Sequence, residues 1–92
     1  MYHVYILRCS DGSLYVGGTD NLSSRLRRHN EGRGARHTAT RRPVRLASAE
    51  PHPDRSSALR REQQLKRWTT AKKEALCRGD LAALHRLAKR RS

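Results

Sequence analysis

Tyr2-His3-Val4-Tyr5-Ile6-Leu7-Arg8-Cys9, then Ser10-Asp11-Gly12-Ser13, then Leu14-Tyr15-Val16-Gly17-Gly18-Thr19: this opening stretch decides the fold. Residues 2–9 are apolar, aromatic and partly β-branched, which reads as a strand. Asp-Gly between two such runs is a strong hairpin signal. Residues 14–19 form the return strand, with glycines where the backbone bends or something approaches closely.

Working outward, Asp20 or Asn21 caps a helix that carries Leu22, Leu26 and His29 at helical spacing and stops at Gly32. Residues 32–43 form a basic loop. Val44 to Glu50 reads as a third strand, broken by Pro51-His52-Pro53 because proline donates nothing to a ladder. Asp54 or Ser56 starts a helix to about Trp68 with Ala58, Leu59 and Leu65 on its apolar face. A short helix over 71–78 closes at Gly79. Asp80 caps a last helix, over 80–92, with Leu81, Leu84, Leu87 and Ala88 on one side. The predicted order is β-β-α-β-α-α with that C-terminal helix. The fold class is α/β, of the α+β type, with helices on a three-stranded sheet. Residues 1–92 are expected to form one domain.

Lys and Arg number 21 against 8 Asp and Glu, a formal net charge of +13. Such an excess attracts polyanions, and arginine's planar fork suits phosphate. Cys9 and Cys77 have neither metal-ligand nor redox spacing, which predicts a reduced compartment. The apolar start is too short for a signal peptide or a membrane span. The expectation is a cytoplasmic protein with no membrane partner. The sequence holds no Gly-rich phosphate loop, no zinc set and no carboxylate cluster for a two-metal centre.

Three features break the division into core and surface. Tyr5 and Tyr15 flank the hairpin and come close if the strands pair; their phenols are either packing aromatics or proton carriers. Arg25 and His29 share a face of the first helix beside Leu22 and Leu26. The arginine either snorkels or meets a phosphate, and the histidine either borders the core or moves a proton. Glu62 lies on or beside the apolar stripe of the second helix, where a carboxylate needs a salt bridge or a metal. One carboxylate suffices for magnesium when substrate phosphates and waters complete its shell.

Read together, these residues resemble the GIY-YIG nuclease domain, and its short single-domain bacterial members in particular. Tyr2-His-Val-Tyr5-Ile-Leu matches its first strand, and Tyr15-Val-Gly17-Gly-Thr19 its second. Asn21-Leu22, Arg25-Leu26 and His29-Asn30 match its first helix. Gly34-Ala35, Thr38, Arg42-Pro43, Ala58-Leu59, Glu62 and Lys66 continue the match, which covers about residues 2–75. His3 and Val4 stand where the name-giving Gly-Ile would be, and Gly18-Thr19 stands where some members place a lysine.

The resemblance implies an antiparallel sheet and a metal-dependent DNA endonuclease that hydrolyses phosphodiesters, structure-selective or weakly sequence-specific, with one Mg2+ or Mn2+ ion. It makes Tyr5 the general base or its activator, Tyr15 the orienter of water or phosphate, and Arg25 the transition-state cation. It makes His29 a proton-transfer aid and Glu62 the metal ligand. Gly17 would let a phosphate approach the backbone. Thr19, Arg33, Arg36, Thr38, Arg41, Arg42 and Lys66 join it as DNA contacts. The expected partner is branched or nicked DNA, with a protein partner or a homodimer left open. The alternative is a DNA- or RNA-binding protein on the same fold without catalysis.

Overall fold

A computed structural model describes residues 1–89. Its elements are β1 (Tyr2–Arg8), β2 (Leu14–Thr19), α1 (Leu22–Asn30), α2 (Arg36–Ala39), β3 (Arg45–His52), α3 (Arg55–Lys66), α4 (Thr70–Arg78) and α5 (Leu81–Lys89). The strands form one antiparallel sheet in the order β2-β1-β3.

The central place of β1 follows from its composition. Val4, Tyr5, Ile6 and Leu7 are consecutive and all buried, so both faces of this strand need a cover. On one face Val4 and Ile6 join Val16 of β2 and Ala58 and Leu65 of α3, with Trp68, Leu76 and Cys77 against them. On the other, Tyr5, Leu7, Cys9 and Val44 meet Tyr15, Leu22 and Leu26. The sheet is therefore a middle layer, with α1 on one side and α3 and α4 on the other.

The hairpin forms at the predicted place, with Arg8 opposite Leu14. Gly12 takes φ +86° in the connection, a conformation that L side chains avoid. The helix caps are Asn21, Asp54, Thr69 and Asp80, each accepting from a backbone N–H. Arg8 grips Glu74 through two guanidinium nitrogens, tying the end of β1 to α4.

The sequence reading is corrected in four places. The basic loop contains the one-turn helix α2. Strand β3 runs through Pro51 to His52, because it is an edge strand, where a missing N–H is tolerated. Helix α3 ends at Lys66, short of Trp68. Leu81, expected on the inner side of the last helix, is 77% exposed, while Ala83 is buried. The last helix was expected to reach residue 92, and residues 90–92 lie outside those described. Among the described residues, no helix is long and apolar enough to cross a membrane.

Candidate active site

The site begins at Tyr5. Its partner across the hairpin is Gly17, and Tyr15 lies opposite Leu7, so the two phenols are diagonal neighbours on one face. The Tyr5 ring lies over Gly17, where a Cβ would stand 2.4 Å from the phenol oxygen. That oxygen is 3.0 Å from Nε2 of His29. Nδ1 of His29 is 2.7 Å from the Thr38 hydroxyl, which in turn lies 2.9 Å from the Ala35 carbonyl.

Proton positions follow from the far end of this chain. The Ala35 carbonyl only accepts, so the Thr38 hydroxyl donates to it. The Thr38 oxygen then accepts from Nδ1–H, and the neutral ring leaves Nε2 to accept from the Tyr5 O–H. His29 is 1% exposed. Burial, then Arg25 and Arg28, lowers its pKa and keeps it neutral. Tyr5 is pushed up to about 12, chiefly by burial and then by Tyr15, with nearby Arg25 opposing.

Tyr15 is half-buried, edge-on to His29 at 5.3 Å between ring centres and stacked on His37. It lines a cleft of about 270 Å3 with Arg25, Arg28, His29, Arg33, Gly34 and Ala35. Arg25 also lines a second cleft of about 260 Å3 with Tyr2, Gly18, Arg55, Leu59 and Glu62. One arginine is thus common to the cleft of Tyr15 and the cleft of Glu62. Arg25 has no carboxylate partner among the described residues. Glu62 Oε2 is paired with Lys66 at 2.8 Å, and Oε1 faces Gly18, where a Cβ would come within 2.8 Å of it.

This donor set can be tested for a metal. Among the described residues no group of three or more His, Cys, Asp or Glu is placed to hold one. Glu62 alone offers an oxygen, Oε1, beside open space that a glycine keeps clear. That suits a hard divalent cation whose other ligands are waters and substrate phosphate, and it does not suit a cation held wholly by protein.

Comparison with known proteins covers the stretch that holds these residues. The family model described as the GIY-YIG catalytic domain matches residues 1–75. The chain belongs to the GIY-YIG family. Relatives include UPF0213 proteins of Staphylococcus aureus strains Mu3 and N315. Each is 46% identical over 72 residues, which is 78% of this chain and 88% of the relative. The solution NMR structure of a UPF0213 protein from Bacillus halodurans is 38% identical, with a TM-score of 0.56, and the match covers 87% of this chain and 86% of that one.

Within this GIY-YIG domain, Tyr5, Tyr15, Arg25, His29 and Glu62 gather around two adjoining clefts, but not all at the surface. Tyr5, expected to act on water, is 2% exposed and lies on the floor. His29, expected as a direct aid to proton transfer, is covered, and its Nε2 meets the Tyr5 phenol. The space over Gly17 is taken by Tyr5 and not left to a phosphate.

Two expected DNA contacts, Thr38 and Thr19, are corrected by their burial. Thr38 is 0% exposed and spends its hydroxyl on His29 and Ala35; Thr19 is 2% exposed and braces Asn21. Arg41 bonds Asp11 and the His37 carbonyl, and Arg42 bonds the Ala39 and Asn30 carbonyls, so both brace the basic loop. Arg36 is exposed, and Arg33 is exposed beside Glu31. Lys66 serves Glu62.

Sequence reasoning missed Gly18, Tyr2 and Arg55 at the carboxylate cleft and Gly34 beneath His29. The Arg55, Leu59, Glu62, Lys66 spacing on one helix face was the available signal for Arg55.

Proposed function

We propose that this GIY-YIG domain hydrolyses phosphodiester bonds of DNA in the groove formed by the two clefts around Arg25. The observation that carries the reading is the sharing of Arg25, which lines both the cleft of Tyr15 and the cleft of Glu62. A phosphate drawn to Arg25 would lie between them, with Arg28, Arg33 and Arg55 flanking the strand.

Glu62 Oε1 would hold one Mg2+ or Mn2+, which when bound supplies charge stabilisation at the phosphate. Arg25 neutralises the charge that develops on the phosphoryl oxygens. Tyr15 orients the phosphate or the water. The water's proton passes to the Tyr5 oxygen as Tyr5 hands its own to Nε2 of His29, which is neutral and hydrogen-bonded to receive it. Because Tyr5 is nearly covered, this step needs Arg25, which lies against it, to move onto the substrate. The expected leaving group is the 3′ oxygen, giving 5′-phosphate ends. Flanking arginines read the backbone and not base edges, so we expect preference for branched or nicked DNA over a fixed sequence.

The pairing of Lys66 with Glu62 favours a second reading, a DNA binder without cleavage. One experiment separates the two: incubate the protein with branched, nicked and linear DNA, with Mg2+ or with chelator. Cleavage that needs the metal and disappears in Glu62→Ala supports hydrolysis. Binding without cleavage under Mg2+ or Mn2+ overturns it.

A further inference from the structure

A second flank of α3, roughly a third of a turn round the helix from Glu62, has no part in the groove. Each helical residue advances about 100°, so Arg55, Leu59, Glu62 and Lys66 line one side while Arg60, Gln63, Gln64 and Arg67 fall on another. With Trp68 and Lys72 these four line a cleft of about 410 Å3 where α3 gives way to α4. No carboxylate lines it.

Lys72 is the most informative of the six. It is 8% exposed, and its ammonium has no ion-pair or hydrogen-bond partner among the described residues. The group lies 4.3 Å from the centre of the Trp68 ring. It sits in the first turn of α4, where the helix's partial positive charge disfavours a cation, and that turn has no acidic residue. Glu74, the nearest acid along α4, is held by Arg8. The stem is buried while the ammonium reaches the cleft over the Trp68 ring, a cation presented to an anion there with no acid beside it.

The other lining groups agree in sign. Arg60 and Arg67 are exposed and have no carboxylate partner among the described residues. Arg61, itself bound to Glu50, donates to Gln64 Oε1 at 2.9 Å, which leaves the Gln64 amide NH2 for a ligand. Two guanidiniums, an ammonium and the amides of Gln63 and Gln64 give the cleft a large excess of donors, which matches the oxygens of a phosphate.

The geometry points to a second phosphate site: this cleft seats a phosphodiester of the nucleic-acid substrate, round α3 from Glu62. A helix is about 10 Å across, so α3 stands as a wedge between two backbone segments. This rests on the DNA reading above and deepens it by giving a duplex whose strands diverge at a branch or nick a second point of contact.

Trp68 is the sole tryptophan, so its fluorescence reads the cleft directly. The test titrates a nicked duplex, and separately inorganic phosphate, into the protein in chelator, following Trp68 emission and the anisotropy of labelled DNA against salt. We expect a saturable emission change with the duplex in the wild type and in Glu62→Gln. It should be lost in Arg60→Gln/Arg67→Gln, with the log–log salt slope shallower by about 2, roughly one per phosphate contact removed. The exposed pair Arg45→Gln/Arg86→Gln, with the same loss of charge, should keep both wild-type responses. The proposal is overturned if the Arg60/Arg67 variant keeps them too. It is equally overturned if inorganic phosphate gives the emission change and the duplex does not, which would mark a free-anion site. Neither readout needs cleavage, so a failed hydrolysis assay leaves this test standing.

Discussion

Gly34 and Gly18 each lie against a functional side chain, and what they face differs in kind. A Cβ at Gly34 would stand 2.2 Å from Nδ1 of His29, a ring pinned by hydrogen bonds at both nitrogens. A Cβ at Gly18 would crowd only Glu62 Oε1, at the end of a flexible side chain, with Tyr2 and the His3 carbonyl at ordinary contact distance. Gly34→Ala should therefore destabilise the fold by about 1–3 kcal/mol, as overpacking does, while Gly18→Ala should barely change the melting temperature yet lower metal-dependent cleavage. Thermal melts and cleavage assays on the two variants check this.

His29 gives a pH prediction at the same scale. Its folded pKa is lowered below the ordinary 6.5, so below that value the unfolded chain binds a proton that the folded chain refuses. Its contribution is complete above about pH 6.5 and is lost as the pH falls from there toward the folded pKa. Denaturant titrations should show stability declining over that window, with the decline reduced in His29→Gln. Little of this was legible in the sequence. The His29 spacing marked a helix face, but nothing along the chain indicated that Thr38, in a basic loop, would close the other side of the ring. Buried hydroxyls such as Thr38 and Thr19 look like surface threonines until their partners are known.

At the level of elements, legibility followed local chemistry. The hairpin, the cap at Asp80 and the stop at Gly79 were readable because each is settled by a few neighbouring residues, and the caps of α1 and α3 were narrowed to two candidates each, of which the structure uses Asn21 and Asp54. Helix α2 was not, since its N-cap, Ala35, makes no side-chain cap bond and four residues carry no apolar period. The path of β3 through Pro51 depends on its edge position, a property of the assembled sheet. One contact joins these elements: the Asn30 side chain accepts from the Val44 N–H at 2.7 Å and donates to the Val44 carbonyl at 3.0 Å, clamping the end of α1 to the start of β3. Asn30→Ala leaves both backbone groups of the buried Val44 without these partners. It should cost about 1–3 kcal/mol, measured by chemical denaturation, with any loss of cleavage tracking the unfolded fraction.

Over the whole molecule the charge of +13 was the plainest sequence signal, and its distribution was the least legible. Arg8, Arg41, Arg42 and Arg61 are engaged within the fold, while Arg25, Arg60 and Arg67 have no carboxylate partner among the described residues. The cations available to DNA are thus fewer than composition suggests. DNA affinity should fall steeply between 50 and 200 mM salt; at about 0.9 per phosphate, the log–log slope should lie well below one contact for every Lys and Arg.

The central claim is that Tyr5 and Glu62 act on a phosphodiester gathered by Arg25. The most direct measurement is single-turnover cleavage of a nicked duplex with Mg2+ by wild type, Tyr5→Phe and Glu62→Gln, beside their DNA affinities in chelator. The account predicts that both substitutions slow cleavage by about 100-fold or more while affinity stays near wild type. Cleavage at the wild-type rate in either variant would contradict it.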